Sequence, residues 1–179
     1  LFLAEAETGN AFAMYDLGRM CADGLGCEPD MEAAQHWYQK ALTAFLAVEH
    51  TAEERQRPYL WYRIGKMYVA GLGTEQDYAS AAEWFSNAVS RNHKYAQYSL
   101  AGLYYRGQGV EQSFAQALML YQLSAEQGNP YASYELAKMF RDGIGTEADT
   151  GQAAGYFQDA FNGFAALEKE SHDDKLQYR

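Results

Sequence analysis

Residues 60–88 read LWYRIGKMYVAGLGTEQDYASAAEWFSNA, and the order of residue types in this stretch decides the fold. Trp61, Ile64, Gly65 and Tyr68 recur at helical spacing, so the first half predicts a helix with one apolar stripe. Gly71-Leu72-Gly73 then stops that helix, because glycine enters the left-handed conformation of a C-cap at little cost. Asp77 has the type and position to N-cap a second helix, its carboxylate accepting from a free backbone N–H.

The same arrangement recurs along the chain. Gly-x-Gly triplets begin at Gly24, Gly71, Gly107 and Gly143, that is 47, 36 and 36 residues apart. This predicts a 36-residue repeat with an 11-residue insertion after the first copy. Superposing the copies aligns Tyr15, Tyr62, Tyr98 and Tyr134, then Leu17, Ile64, Leu100 and Leu136, then the small residues Gly18, Gly65, Ala101 and Ala137. Beyond the glycines, Asp30, Asp77, Ser113 and Asp149 share a column. Trp37, Trp84, Leu120 and Tyr156 share another, each followed by Tyr38, Phe85, Tyr121 or Phe157. Ala34, Trp37, Tyr38 and Ala41, spaced i, i+3, i+4 and i+7, predict one buried stripe on the second helix, with the tryptophan column inside it. Each copy is therefore a helix A, a glycine turn and a helix B, and no copy covers its own apolar face, so the copies must stack. The fold class is all-α, a solenoid of tandem helix-turn-helix repeats.

Repeat 1 spans 10–57 in a long form, repeat 2 spans 58–93, repeat 3 spans 94–129, and repeat 4 spans 130–175, again long. Residues 1–9 read as the end of a helix B from a preceding repeat, and 176–179 as the start of a following one. The chain thus reads as an excerpt of a longer array, whose uncapped ends offer a route to dimerisation. Charged extensions of helix B are expected at 49–54 and 168–170, as solvated helical spurs.

At this point the sequence resembles the Sel1-like repeat family, related to the tetratricopeptide repeats. Its pattern A-x-x-x-L-G-x-x-Y-x-x-G-x-G followed by D-x-x-x-A-x-x-W-Y-x-K-A is matched by 60–73 and 77–88, and by Trp37-Tyr38-Gln39-Lys40-Ala41 in the first copy. Leu120 replaces the tryptophan in copy three, and Cys21 the tyrosine in copy one. The resemblance implies a right-handed superhelix that serves as an adaptor for protein partners. A second reading, also by analogy with the family, is a non-catalytic tail of a larger bacterial enzyme such as a mobilisation relaxase.

Composition sets limits on function. With 48% hydrophobic and 15% aromatic residues the chain is suited to a packed core. Its formal net charge of −10 disfavours direct nucleic-acid binding by this segment. No apolar run approaches membrane-spanning length. Cys21 and Cys27 lack the neighbours of a zinc site. As ordinary thiols they lean toward a reducing compartment such as the cytoplasm without assigning one, and a local disulfide between them is the alternative.

No catalytic constellation emerges either. His36, His50, His93 and His172 share no repeat column, and Ser171-His172-Asp173-Asp174 is a contiguous polar run rather than a convergent set. The glycine turns lack the Lys-Ser/Thr of a phosphate loop. The expectation is no enzyme, cofactor or metal. Binding has better candidates, on the A helices, which line the concave side of stacked two-helix repeats. Tyr15, Tyr62, Tyr98 and Tyr134 form one column, beside Phe12, Tyr59, Tyr95 and Tyr131. Arg63 stands in a polar column with Asp16, Ser99 and Glu135. Arg19, Lys66 and Lys138 form a third, interrupted by Gly102. Tyrosines supply contact area with a polar tip, and the cations suit carboxylates or carbonyls of a protein or peptide partner. The alternative is that the tyrosines pack between neighbouring A helices while the cations are merely solvated.

Overall fold

The computed structural model of the chain describes residues 2–26 and 28–177. All regular structure among these residues is helical: α1 Phe2–Glu7, α2 Ala11–Asp23, α3 Met31–Val48, α4 Arg57–Ala70, α5 Tyr78–Ser90, α6 Lys94–Arg106, α7 Phe114–Glu126, α8 Pro130–Asp142 and α9 Thr150–Gln177. After α1, the helices alternate as A and B in tandem helix-turn-helix repeats: α2 with α3, α4 with α5, α6 with α7, α8 with α9. The chain forms two compact units, residues 1–88 and 89–179.

One turn is built four times. Gly24, Gly71, Gly107 and Gly143 all take φ of 65°, and their N–H groups donate to Met20, Met67, Leu103 and Met139. The chain then folds back, so that the N–H of the next helix's N-cap residue donates to the carbonyl of helix A: Asp30 to Cys21, Asp77 to Tyr68, Ser113 to Tyr104 and Asp149 to Phe140, at 2.8–3.0 Å. The side chains of the same residues cap helix B. Asp30 accepts from Ala33, Asp77 from Ala79 and Ser80, Ser113 from Gln116, and Asp149 from Gln152. Helix A ends and helix B begins at hydrogen bonds to the same short loop, which fixes the hairpin before any core contact is counted.

The small-residue column explains how closely the two helices approach. A Cβ on Gly18 would lie 2.6 Å from the Tyr38 ring, and one on Gly65 at 2.6 Å from Phe85. Phe85 is fully buried. Tyr38 is nearly so, and it shares the core of the first unit with Ile64, Met67, Ala34 and Ala41. The tryptophan column is buried less uniformly than the reading above: Leu120 is buried, and Trp84 packs against the core from its edge. Trp37 and Trp84 are only half-buried, because the i+1 aromatic takes the centre of the stripe against the glycine, leaving the indole at its margin.

The insertion in repeat 1 also departs from expectation. Helix α3 is longer than α5 or α7 and brings Phe45 into the core, but it stops at Val48, before the charged residues. Residues 49–56 make turns instead of a spur. Glu49 accepts from the Trp61 indole N–H at 2.7 Å, and Arg57 donates to the carbonyls of Ala52 and His50. Those bonds staple the segment onto the start of α4, where Pro58 occupies the first turn. Helix α9 runs unbroken through Gln177, so residues 168–170 do lie in a helix. The expected opening of a further repeat at 176–179 falls on its last residues and, for 178 and 179, outside the described residues. Cys21 is half-buried, and whether it pairs with Cys27 lies outside them too.

Helix A has caps of its own. Asn10, His93 and Asn129 each accept from backbone N–H groups of the first turn. His93 does so through Nδ1, from Ala96 at 3.2 Å. Only the neutral ring has that acceptor. Burial, and secondarily Lys94, hold its pKa below the ordinary 6.5. A depressed folded value means that stability is complete above 6.5 and is lost as pH falls below it toward the folded value. The urea midpoint is therefore expected to drop between about pH 7 and 5, and His93→Asn, which keeps a capping oxygen, is expected to remove the His93 share of that drop.

Candidate functional site

Within each repeat the tyrosine of the first column lies over an aromatic of its own helix B, buried in the first three repeats and half-buried in the fourth. Ring centroids are 5.3 Å apart for Tyr15–Tyr38, 6.1 Å for Tyr62–Phe85, 5.7 Å for Tyr98–Tyr121 and 5.8 Å for Tyr134–Phe157. The column is thus part of the A–B packing inside each repeat, with one ring edge left outward. Tyr15, Tyr62 and Tyr98 are half-buried, whereas Tyr134 is 45% exposed. Burial, and then the charge of Glu135, push the Tyr98 hydroxyl above its ordinary 10.0, so it stays a neutral donor.

The cations differ from copy to copy. In the first unit Arg19 is exposed and reaches Asp16 at 3.8 Å. Arg63 is half-buried, its guanidinium carbon 4.1 Å from the Tyr15 ring centroid and 5.9 Å from that of Tyr59. Its Nε is buried and has no hydrogen-bond acceptor. Lys66 is exposed. In the second unit Lys138 pairs with Glu135 at 2.7 Å while lying 4.9 Å over Tyr134. Tyr98 has Tyr131 at 6.0 Å as a further ring neighbour. The first unit therefore brings Tyr15, Arg19, Tyr62, Arg63 and Lys66 onto α2 and α4, and the second brings Tyr98, Tyr134 and Lys138 onto α6 and α8.

Two concavities of the first unit were not foreseen. One, of about 380 Å³, lies beside the stapled insertion and is lined by Phe12, Val48, Ala52, Tyr59 and Leu60. Phe12 and Tyr59 stack at its rim, centroids 5.8 Å apart and planes at 20°, with each ring more than 40% exposed. The aromatic column containing them was legible; the wall formed by 49–56 was not, since it depends on the chain turning back. The other, about 690 Å³ and open, lies where α1 and α2 meet α3 and is lined by Met14, Trp37, Lys40 and Ala44. Lys40 stands 4.7 Å over the Trp37 ring there.

Among the described residues no group of three or more His, Cys, Asp or Glu is placed to hold a metal ion. No helix among them is long and apolar enough to cross a membrane.

Comparison with known proteins fits this architecture. The chain is similar to a protective antigen present in uropathogenic Escherichia coli strains that displays an SLR fold. Identity is 27% and the TM-score 0.66, over 90% of this chain and 32% of that one. It is also similar to a Sel1 repeat protein from Oxalobacter formigenes, at 26% identity and a TM-score of 0.69, over 90% of this chain and 60% of that one. The chain therefore spans about a third of the first relative and three fifths of the second. No curated protein matches it, and nothing in the comparisons supports the reading as a relaxase tail. Sel1 repeats are non-catalytic scaffold units that generally mediate protein–protein interaction. The sequence profile described as Sel1 repeat matches residues 11–44, 62–93, 94–129 and 130–162, and with most of its length so matched the chain belongs to the Sel1 repeat family.

Proposed function

We propose that this chain is a protein-interaction scaffold whose partner lies along the A-helix faces, contacting Tyr15, Arg19, Tyr62, Arg63 and Lys66 in the first unit and Tyr98, Tyr134 and Lys138 in the second. The observation that carries the reading is the division of labour within each repeat. Helix B buries Tyr38, Phe85 and Tyr121 in the first three repeats, while helix A keeps a column of partly exposed tyrosines beside charged side chains. Rigid rings already held by packing lose little entropy on contact, which favours their use as a binding surface. The groups that catalysis needs are not brought together on these faces, and the family's general role agrees with adaptor use.

Arg19 and Lys66 are the most exposed of these cations and the least engaged, so they make the cleanest test. Reversing both, Arg19→Glu with Lys66→Glu, is expected to leave the unfolding free energy within about 1 kcal/mol of the parent. The same pair is expected to weaken capture of a native partner by about tenfold or more, since a rim charge replaced by its opposite opposes docking. Equal capture by parent and variant would move the contact surface off the A helices.

A further inference from the structure

We propose that the face formed by α2 and α4 selects an acidic peptide segment, with Arg63 as the group that receives its carboxylate. The proposal rests on the reading of the A-helix faces as contact surfaces and names the chemistry of what binds there. Arg63 is held between the rings of Tyr15 and Tyr59, which fixes the direction of its guanidinium before any ligand arrives. Yet it forms no ion pair with any described residue, and its buried Nε has no acceptor. With Nε enclosed, the carboxylate meets the terminal Nη groups, and it supplies the counter-charge that this partly desolvated guanidinium lacks.

Comparison along the column shows that this state is particular to one copy. The positions equivalent to Arg63 are Asp16, Ser99 and Glu135. Asp16 is engaged by Arg19, and Glu135 neutralises Lys138 at 2.7 Å. The α2–α4 face is left with Arg63 and Lys66 unbalanced, on a chain whose formal net charge is −10. Such a spot attracts negative groups while the rest of the molecule repels them, which sets register as well as affinity.

The neighbouring concavity supplies the rest of the recognition. The Tyr59 ring is shared: one contact is the Arg63 guanidinium at 5.9 Å, the other is Phe12 at the rim of the 380 Å³ hollow. An apolar side chain seated in the hollow places the next residues of an extended segment over Arg63. Lys66, one helical turn further on, is exposed and without an ion pair among the described residues, and it answers a second carboxylate. A chain terminus brings only one, so acidic side chains are the ligand proposed.

The probe is acetyl-Phe-Glu-Glu-amide, titrated into the uniformly ¹⁵N-labelled chain while backbone amides and arginine Nε–Hε signals are followed. The neutral control is acetyl-Phe-Gln-Gln-amide, and the terminal control is acetyl-Phe-Gln-Gln with a free carboxylate. The expected result is movement of the Arg63 Nε–Hε signal and of α2 and α4 amides with the acidic peptide. Both controls are expected to bind about tenfold more weakly. Lys66→Gln, at an exposed position, and Arg63→Gln are each expected to weaken the acidic peptide alone. Equal binding of acidic and neutral peptides on α2 and α4 overturns the acid selection and leaves the A-helix reading standing. A free-carboxylate peptide that matches the acidic one overturns the choice of side chains over a terminus. Shifts confined to B helices overturn the proposal and the A-helix reading together, and a lack of any shift at Arg63 overturns the proposal itself.

Discussion

Phe85→Ala is expected to destabilise the chain by about 3–5 kcal/mol in urea unfolding. Phe85 is fully buried and belongs to the largest buried side chains of the first unit. Its ring meets the Cα of Gly65, where even a Cβ would come within 2.6 Å, and it faces Tyr62 at 6.1 Å. Removal leaves a void between α4 and α5 that neither can close, because the glycine turn pins their spacing through the Asp77–Tyr68 and Gly71–Met67 hydrogen bonds. Trp84, its neighbour, is the control. The sequence suggests the tryptophan as the buried member, but it is only partly buried, at the edge of the core, so Trp84→Ala is expected to cost about 2 kcal/mol despite removing more atoms. A larger loss from Trp84 than from Phe85 would mean that the register of helix B is shifted by one residue.

The second large effect falls on a residue with no side chain. Gly73, the second glycine of its triplet, has φ of 72°, and a Cβ there would lie 2.3 Å from the backbone nitrogen of Gln39 and 2.4 Å from the carbonyl carbon of Tyr38. The turn of repeat 2 thus backs directly onto helix α3 of repeat 1. Gln35 fastens the contact, accepting from the Gly73 N–H at 2.7 Å and donating to the Gly71 carbonyl at 3.1 Å. Gly73→Ala is expected to cost about 3 kcal/mol or more: a left-handed alanine contributes roughly 1–2 kcal/mol, and displacement of a backbone contact supplies the remainder. Gly26, also at positive φ (86°), has nothing within 4 Å of its notional Cβ. Gly26→Ala is therefore expected to show the conformational cost alone, about 1–2 kcal/mol. The difference between the two alanines measures the repeat-to-repeat contact. Equal losses would show that the second glycine serves the turn only.

These two residues mark how far the sequence could be read. The repeat, its glycine turn and the Asp/Ser caps were legible because each rests on local chemistry: a left-handed cap wants glycine, and a free N–H wants a short side-chain acceptor. The caps of helix A were harder to see, since Asn10, His93 and Asn129 are different residue types doing one job. The reason for the second glycine lay outside the repeat altogether, in the backbone of the preceding helix B. Burial of Phe85 over Trp84 likewise depends on which ring meets Gly65, a matter of one residue of phase that a stripe four residues wide does not resolve.

The candidate site was legible in outline and not in its balance of charge. Alignment placed Arg19, Lys66 and Lys138 in one column of helix A, and the repeat made them look equivalent. The geometry separates them, because Lys138 has Glu135 three residues before it on the same helix face, whereas Lys66 has Arg63 there. The hollow beside Phe12 and Tyr59 exists because Glu49 and Arg57 fold the insertion back onto α4. A run of charged residues after a long helix gives no sign of that.

The most direct measurement of the central claim, that partners lie on the A helices, is site-specific photocrosslinking in native lysate. Benzoylphenylalanine would replace Tyr59 or Tyr134 on the A-helix faces, and Glu83 or Gln158 as exposed B-helix positions. The account predicts one defined crosslinked partner shared by the Tyr59 and Tyr134 probes and absent from Glu83 and Gln158. The same partner crosslinked from Glu83 and Gln158, with Tyr59 and Tyr134 silent, would contradict it.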